Sequence, residues 1–398
     1  MSLELRIPTA EDVPAMFAAD GRAFGQDYTD EMIAERLPAI DLDRFRIVLD
    51  RGRVVGVIGS YAFDMTLPGG STVPASGVTW VSVAVTHRRQ GLLRRMMDEI
   101  HSMTHERGEP IAALGASEGS IYRRFGYGVA TTHAEATVRS DRVRLPAERG
   151  TVRPLDLAEG RAHMEPLWDR WRRERAGEVS RSDGFWELLT TLRSHAVGDR
   201  TKGYVIAHDD GYAWYRVTPK WDDVVAGGTV HLQELVALTP EAHATLWRTL
   251  AEIDLMTSIR TTVLALDDPL LMRLDDTRAV SFSEVVDGMW VRPMDPVIAF
   301  AARTYGMDDS IVLEIVGTDR GTVRVRIDGG PAGAEARLVR SRPDVVTDLA
   351  GAGSLLLGGV RAGQLARAGI LSARNADALR RADRFLLGDH LPLCQTGF

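Results

Sequence analysis

The residues best suited to chemistry lie in the run Val81-Ser82-Val83-Ala84-Val85-Thr86-His87-Arg88-Arg89-Gln90-Gly91-Leu92-Leu93-Arg94. Arginines stand beside a glycine just ahead of a helix start. Unpaired N–H groups and the helix dipole favour negative charge there, so a diphosphate is the ligand such a turn would hold. Gly91 lets the backbone approach phosphate oxygens with no side chain between. Two elements must position the turn. The alternation of Val81, Val83 and Val85 predicts a strand with all three on one face. The stripe of Leu92, Met96, Met97 and Ile100 predicts a helix reaching Arg107. A basic surface turn before an ordinary core helix would leave the same local pattern.

Around this segment the chain has 398 residues, which predicts two or three domains. Hydrophobic residues at 44% suffice for sizeable cores, and a net charge of −7 argues against a nucleic-acid partner. The single Cys394 excludes an intrachain disulfide framework and a cysteine-clustered metal site. Met1 to Ala10 reads as no secretory leader, and no apolar run reaches membrane-spanning length. A soluble cytoplasmic protein with no membrane partner is expected.

Leu3 to Ile7 predicts a strand, and Thr9 with Asp12 the start of a helix. Arg44 to Leu49 and Arg53 to Phe63 predict a hairpin around Asp50-Arg51-Gly52. After the basic turn and its helix come a strand at Ile111 to Leu114, a helical turn at Ile121 to Phe125 and a closing strand at Ala130 to Val138. A similar order then recurs. Tyr204 to Ala207 and Tyr212 to Val217 flank a turn, Leu232 to Leu238 is a strand, Pro240 opens a helix and Val263 to Leu266 is a short strand. Val83-Ala84-Val85-Thr86 aligns without gaps on Val236-Ala237-Leu238-Thr239, which points to an internal duplication. In the second copy Pro240-Glu241-Ala242-His243-Ala244 replaces the basic turn. Pro240 removes an N–H and Glu241 repels phosphate, so this copy has no working cofactor loop.

From about Met294 the pattern changes to an α+β unit. Ile311 to Val316 and Thr322 to Ile327 predict a hairpin, Ala336 to Val339 a third strand, and Asp344 to Leu357 and Asn375 to Leu387 helices. The unit resembles the sterol-carrier type, and Leu355-Leu356-Leu357 reads as core. An analogy of fold alone leaves a non-enzymatic lipid carrier as a rival function.

Three stretches together resemble the enhanced intracellular survival (Eis) type of GCN5-related N-acetyltransferases (GNATs). They are Thr86 to Arg94, Ala116-Ser117-Glu118-Gly119-Ser120-Ile121-Tyr122-Arg123-Arg124-Phe125-Gly126-Tyr127-Gly128, and the end Gln395-Thr396-Gly397-Phe398. Leu93 departs from the generic GNAT loop, which has a small residue there, but agrees with the Eis form. The resemblance implies a mixed α/β (α+β) chain of two fused GNAT-type domains, 1–145 and 146–293, and a sterol-carrier-like domain, 294–398. It implies acetyl-CoA as cosubstrate and no metal. Val81, Ser82 and Val83 would contact the pantetheine. Arg89, Gln90, Gly91, Leu92, Leu93 and Arg94 would cradle the pyrophosphate, and Ser117 and Glu118 would line the thioester end. Tyr122 matches the family's proton donor and the Phe398 carboxylate its proton acceptor. The implied acceptor is a small cationic amine, an aminoglycoside acetylated at several positions. A peptide lysine or a polyamine is the alternative. A hexamer built from two trimers is implied as well.

The chemistry accommodates these roles. A phenol with a reference pKa of about 10 can protonate a leaving thiolate. A terminal carboxylate is a weak base, near 3.5, unless desolvation raises it or water relays the proton. Plain readings stand beside each role: Tyr122 as a packing aromatic, Phe398 as a frayed end, Glu118 as a turn cap. Phe24, Asp27, Tyr28 and Asp64 fall in two segments that would rim an acceptor cleft, or else are solvated loop residues. His87, His101 and His105 read as exposed histidines rather than metal ligands, and Cys394 as a buried thiol.

Overall fold

The structure, a computed structural model, describes residues 3–145 and 150–398, so the division expected between 145 and 146 borders residues outside the described ones. Strand Phe45–Asp50 reverses at Arg51 and Gly52, both at positive φ (49° and 76°), into the long strand Arg53–Thr66. That is the backbone a two-residue hairpin demands. Thr72–Val83 pairs antiparallel with it, and helix Leu92–Glu106 then crosses to strand Ile111–Gly115, parallel to Thr72–Val83. The parallel ladder runs only from Ala75–Gly77 against Ile111–Ala113. Beyond it the two strands pair no further, and their ends flank an opening.

The first sheet has the order Glu4–Arg6, Phe45–Asp50, Arg53–Thr66, Thr72–Val83, Ile111–Gly115, Met289–Pro293, Gly128–Val129. The second has Arg153–Leu155, Tyr204–His208, Gly211–Thr218, Gly228–Ala237, Met256–Leu264, Thr132–Arg139, Val280–Asp287. The two orders are the same, including one parallel pair bridged by a helix, Pro240–Ala251 in the second sheet. The duplication expected from the aligned strings is therefore also a duplication of topology. Its sixth strand is exchanged: each copy ends in two successive strands that part into different sheets, the second of which joins the other copy's sheet. Thr132–Arg139 pairs with Met256–Leu264 and Val280–Asp287, whereas Met289–Pro293 enters between Ile111–Gly115 and Gly128–Val129.

This corrects the closing strand expected at Ala130 to Val138, which closes the second sheet. Alternation marks a strand but does not select its partner. The strand expected over Val81 to Val85 starts at Thr72 and stops at Val83, and Val85 sits in a 3₁₀ turn with 77% exposure. Trp80 has φ 56° where the ladder to Arg53–Thr66 shifts register, so regular alternation does not continue through the strand's end. The short strand expected at Val263 to Leu266 is the end of Met256–Leu264. Helices Leu157–Arg172 and Asp183–Ser194 are elements that the periodicity does not announce.

The third sheet runs Gly333–Leu338, Gly321–Gly330, Asp309–Thr318, Val345–Asp348, Leu371–Ala373. Asp344 to Leu357 is thus a strand and then the helix Leu349–Leu356, capped by Asp348, rather than one helix. All eight residues of that helix are buried, so its apolar run is core, as expected. A Cβ on Gly353 would fall 2.0 Å from the Val291 carbonyl oxygen, so bare glycine lets the helix lie on the exchanged strand. From helix Ala376–Leu386 the chain end turns back over the second copy, where Leu393 N–H donates to Ala176 O at 2.9 Å.

Candidate active site

The basic turn has the geometry its residues suggest. Gly91 caps helix Leu92–Glu106 with φ 80°, and Arg89 adopts φ 62°. The first helical bond, Arg95 N–H to Gly91 O, is 3.1 Å, so the N–H groups of Leu92, Leu93 and Arg94 face out of the helix end. Behind the turn, Ala84 N–H donates to Val55 O at 2.8 Å and His87 Nε2 lies 3.3 Å from Asp50 Oδ2. The helix is held by Leu92, Met96, Met97 and Ile100, all buried against the sheet.

A groove of about 430 Å³ runs from this turn along the strand end. Val81, Ser82, Val83, Arg89, Gly91, Leu92, Leu93, Arg94, Ser117, Glu118, Tyr122 and Phe24 all line it. Of the residues expected to touch the cosubstrate, Gln90 alone is missing, because its side-chain amide turns back onto Thr86 O at 3.2 Å. Ser82 Oγ is buried and has no hydrogen-bond partner, which suits a strand that receives a polar ligand. Tyr122 opens the 3₁₀ turn Tyr122–Phe125 and is 5% exposed, its ring edge-on to Tyr127 at 6.2 Å. Burial, and then the Glu118 charge, push its phenol above the ordinary value, which keeps it protonated at neutral pH.

Beyond Ser117 the groove meets a larger chamber of about 720 Å³, which Ser117 also lines. The chamber lies between the two sheets and includes Cys394, Gln395, Thr396, Gly397 and Phe398. The Phe398 ring packs edge-on to Phe63 at 4.9 Å. A Cβ on Gly77 would fall 2.4 Å from the Phe63 ring and 3.1 Å from that of Phe398, so the first sheet is bare where the chain end docks.

A buried charge cluster holds the end in place. Arg181 and Glu234 have no side-chain exposure and pair at 2.6 Å, with the Arg181 guanidinium 3.4 Å above the Trp168 ring. Arg181 Nε donates to Thr396 Oγ1 at 3.1 Å, and that hydroxyl lies 3.3 Å from Glu178 Oε2. Glu178 also accepts the Gln395 N–H. Burial would raise the Glu234 carboxyl, but Arg181 and Arg193 hold it down to about 2. Glu178, with weaker compensation from Arg181, is pushed by burial up to about 7. No motif or spacing in the sequence singles out Arg181, Glu234 or Glu178.

The expected acceptor rim is only partly assembled. Phe24 is in the groove wall, but Asp27 and Asp64 line neither the groove nor the chamber. Along Arg53–Thr66 the side chains alternate, and buried Phe63 turns Asp64 outward, where only its backbone is bonded, to Ser180 and Arg172. Tyr28 instead faces the buried Asp20, its hydroxyl 3.4 Å from Oδ2. His101 is buried rather than exposed: it is hydrogen-bonded to the Tyr127 hydroxyl at 3.1 Å and held neutral by burial, near pKa 3. Cys394 is half-buried with a thiol raised well above its usual range, and Sγ donates to Thr396 O at 3.3 Å. Among the described residues no three of His, Cys, Asp and Glu are grouped to hold a metal.

Comparison with known proteins agrees with this architecture. Acetyltransferase (GNAT) domain models match residues 4–130 and 177–293, and a sterol carrier protein domain model matches 297–395. The N-acetyltransferase Eis of Mycobacterium tuberculosis is 35% identical over the whole of both chains. An uncharacterized N-acetyltransferase of Streptomyces coelicolor is 33% identical, also over both full lengths. Among solved structures, Eis1 of Mycobacterium abscessus superposes with a TM-score of 0.88 at 30% identity, covering both chains fully. The helix start beside a splayed parallel strand pair belongs to the first GNAT domain, which is followed by a second GNAT domain and a carrier-type domain. The chain belongs to the Eis-type GNAT N-acetyltransferases.

Proposed function

We propose that this N-acetyltransferase moves the acetyl group of acetyl-CoA directly to a primary amine held in the chamber, with Tyr122 and the Phe398 carboxylate as its proton carriers. One observation carries the reading. A groove lined by Arg89, Gly91, Arg94 and Tyr122 shares Ser117 in its wall with a chamber that contains the chain's own terminus.

The turn and its outward N–H groups fit a pyrophosphate, and Ser82 on the strand fits the amide-bearing arm of the cosubstrate. The amine nitrogen attacks the thioester carbonyl carbon. The carbon–sulfur bond then breaks, and the departing thiolate takes the Tyr122 proton. The proton lost by the amine goes to the Phe398 carboxylate, directly or through water. A buried phenol is a poor spontaneous acid, so it releases its proton only as thiolate charge develops.

The family resemblance extends the acceptor to the aminoglycosides, whose several amines would be presented in turn, and the assembly to a cytoplasmic hexamer of two trimers. A second reading, a small amine that also bears an acid, is favoured by arginines in the chamber wall. CoA thiol release measured with aminoglycosides, polyamines and lysine peptides tests the reaction. Turnover with at least one class is expected. No release above hydrolysis with any amine would sink the proposal.

A further inference from the structure

The chamber is charged at both ends. Arg193, Arg200 and Arg260 line it together with His231, while Glu135, Asp287 and the terminal residue Phe398 line it as well. The sheet register orders these groups. Arg260 stands opposite His231 on one side and Thr137 on the other. Asp287 stands opposite Thr132, five residues along the same strand, a separation of about 16 Å at some 3.3 Å per residue. Glu135 falls between. Met289, two residues past Asp287, pairs with Gly115, the neighbour but one of Ser117. The acidic end therefore adjoins the cosubstrate groove; Arg260 and Arg200, both near His231, lie at the far end, and Arg193 lines the wall beside Glu234.

Two of these arginines have no ionic partner, and the third shares one. Arg200 and Arg260 are exposed at the chamber rim and form no ion pair among the described residues. Both face His231, which burial and these two charges keep neutral. Arg193 stacks on Trp214 at 3.7 Å and lies 3.6 Å from Glu234, a carboxylate already engaged by Arg181 at 2.6 Å. Arg193 Nη1 is buried with no hydrogen-bond partner. A guanidinium buried with an unused donor is costly unless something fills the site. The carboxylate that faces the group most directly is Glu234, and Asp199 lies beside Arg200 in the chain.

We infer that the far end of the chamber is an anion subsite for a carboxylate or phosphate on the acceptor, formed by Arg200 and Arg260, with the unused Nη1 donor of Arg193 in the adjoining wall. The acceptor is then a primary amine carrying an anionic group some 10–15 Å away, at the scale set by the strand rise. This deepens the acetyl-transfer reading and rests on it. It also departs from a purely polycationic acceptor, which Arg200 and Arg260, with no ion pair of their own, would repel.

The test uses one amine with its far charge switched. Tetraglycine spans about 13 Å when extended, with an N-terminal amine and a C-terminal carboxylate. It is compared with tetraglycinamide, with a triglycyl-phosphoserine whose C-terminus is amidated, and with an aminoglycoside, on the full chain with acetyl-CoA. The carboxylate or the phosphate peptide is expected to exceed the amide at least tenfold in kcat/KM, and whichever does so identifies the anion. R260Q should bring that ratio close to one. Equal rates for acid and amide, or an aminoglycoside preferred with R260Q indifferent, would overturn the subsite and leave acetyl transfer standing. Calorimetry of the same peptides with CoA present separates the two claims. If no amine turned over, the transfer reading would fail, and the subsite would still be judged by whether the anionic peptide binds more tightly than its amide.

Discussion

Arg181 Nε lies 3.1 Å from Thr396 Oγ1, so a fully buried guanidinium of the second copy holds the chain two residues before its end. The same guanidinium spends its other donors on Glu234, which the Tyr212 hydroxyl also meets at 2.6 Å. Positioning of the terminus is thus delegated to the copy that has no cofactor loop. In that copy Gln395 Nε2 donates to Leu235 O at 3.3 Å. Leu235 is the position aligned with Ser82, because Val236 aligns with Val83. The chain end thus lines a cleft of about 380 Å³ equivalent to the groove proposed to take the cosubstrate in the first copy, with Leu393 and Gln395 in its wall.

Thr396→Val removes the hydroxyl link while conserving shape. It should lower kcat about tenfold with the dissociation constant of acetyl-CoA unchanged, read by steady-state kinetics and by calorimetry. Arg181→Met is the harsher change: it leaves Glu234 buried with only Arg193 beside it, and breaking such a pair costs about 3–5 kcal/mol. It should lower the thermal midpoint as well as the rate. Normal turnover by the Thr396 variant would show that the clamp has no bearing on catalysis.

A single glycine added after Phe398 keeps the ring on Phe63 and moves the carboxylate by about 3.6 Å. We expect kcat to fall about 100-fold. Phe398→Ala keeps a terminal carboxylate but loses the ring contact, and it should cost less. The reverse ranking would make the ring, not the charge, the working part of the terminus.

Tyr122→Phe preserves the packing against Tyr127 and removes only the proton. It should reduce kcat by about 10²–10³ with acetyl-CoA affinity retained. An unchanged kcat would take the donor role from Tyr122, since Phe packs as well as Tyr in that place.

The part of the site carried by consecutive residues is legible in the sequence itself. Arg88 to Arg94 announces its turn because loop, cap and helix stripe lie within one short run. The clamp is not legible there, because Arg181, Glu234 and Thr396 belong to different elements and meet only after the second copy folds. The exchanged strand is hidden for a related reason. Its alternation is correct in either sheet, and the choice depends on which neighbour lacks a sixth strand. Asp64 fails as an acceptor contact because a strand carries its neighbours to opposite faces, and the buried Phe63 decides which face that is.

Gly91 tests the cosubstrate turn by conformation alone. A Cβ there would meet nothing within 4 Å, so Gly91→Ala brings only the strain of φ 80°. That strain is about 1–2 kcal/mol, or roughly a 5- to 30-fold loss of acetyl-CoA affinity. Melting temperature measured without ligand should fall only slightly, whereas the shift on adding CoA should shrink. A full CoA-induced shift in the variant would remove the turn from the binding site.

Asp20 gives the fold a pH dependence of its own. It is 4% exposed, its Oδ1 has no hydrogen-bond partner, and Tyr28 reaches only the other oxygen. Burial pushes this carboxyl up to about 6, against a smaller opposing effect of the Tyr28 hydroxyl. An acid whose folded pKa lies above its unfolded value of 3.8 binds more protons when folded. Its contribution to stability is therefore undiminished below about pH 4 and falls as pH rises through 6, by about 3 kcal/mol once ionisation is complete. Asp20→Asn abolishes the titration and keeps the size. Its thermal midpoint should exceed that of the parent chain above pH 7, and the difference should shrink steadily down to pH 4. A gap that stays constant across that range would mean that Asp20 is already ionised in the folded protein at pH 4, with a compensating cation close to its free oxygen.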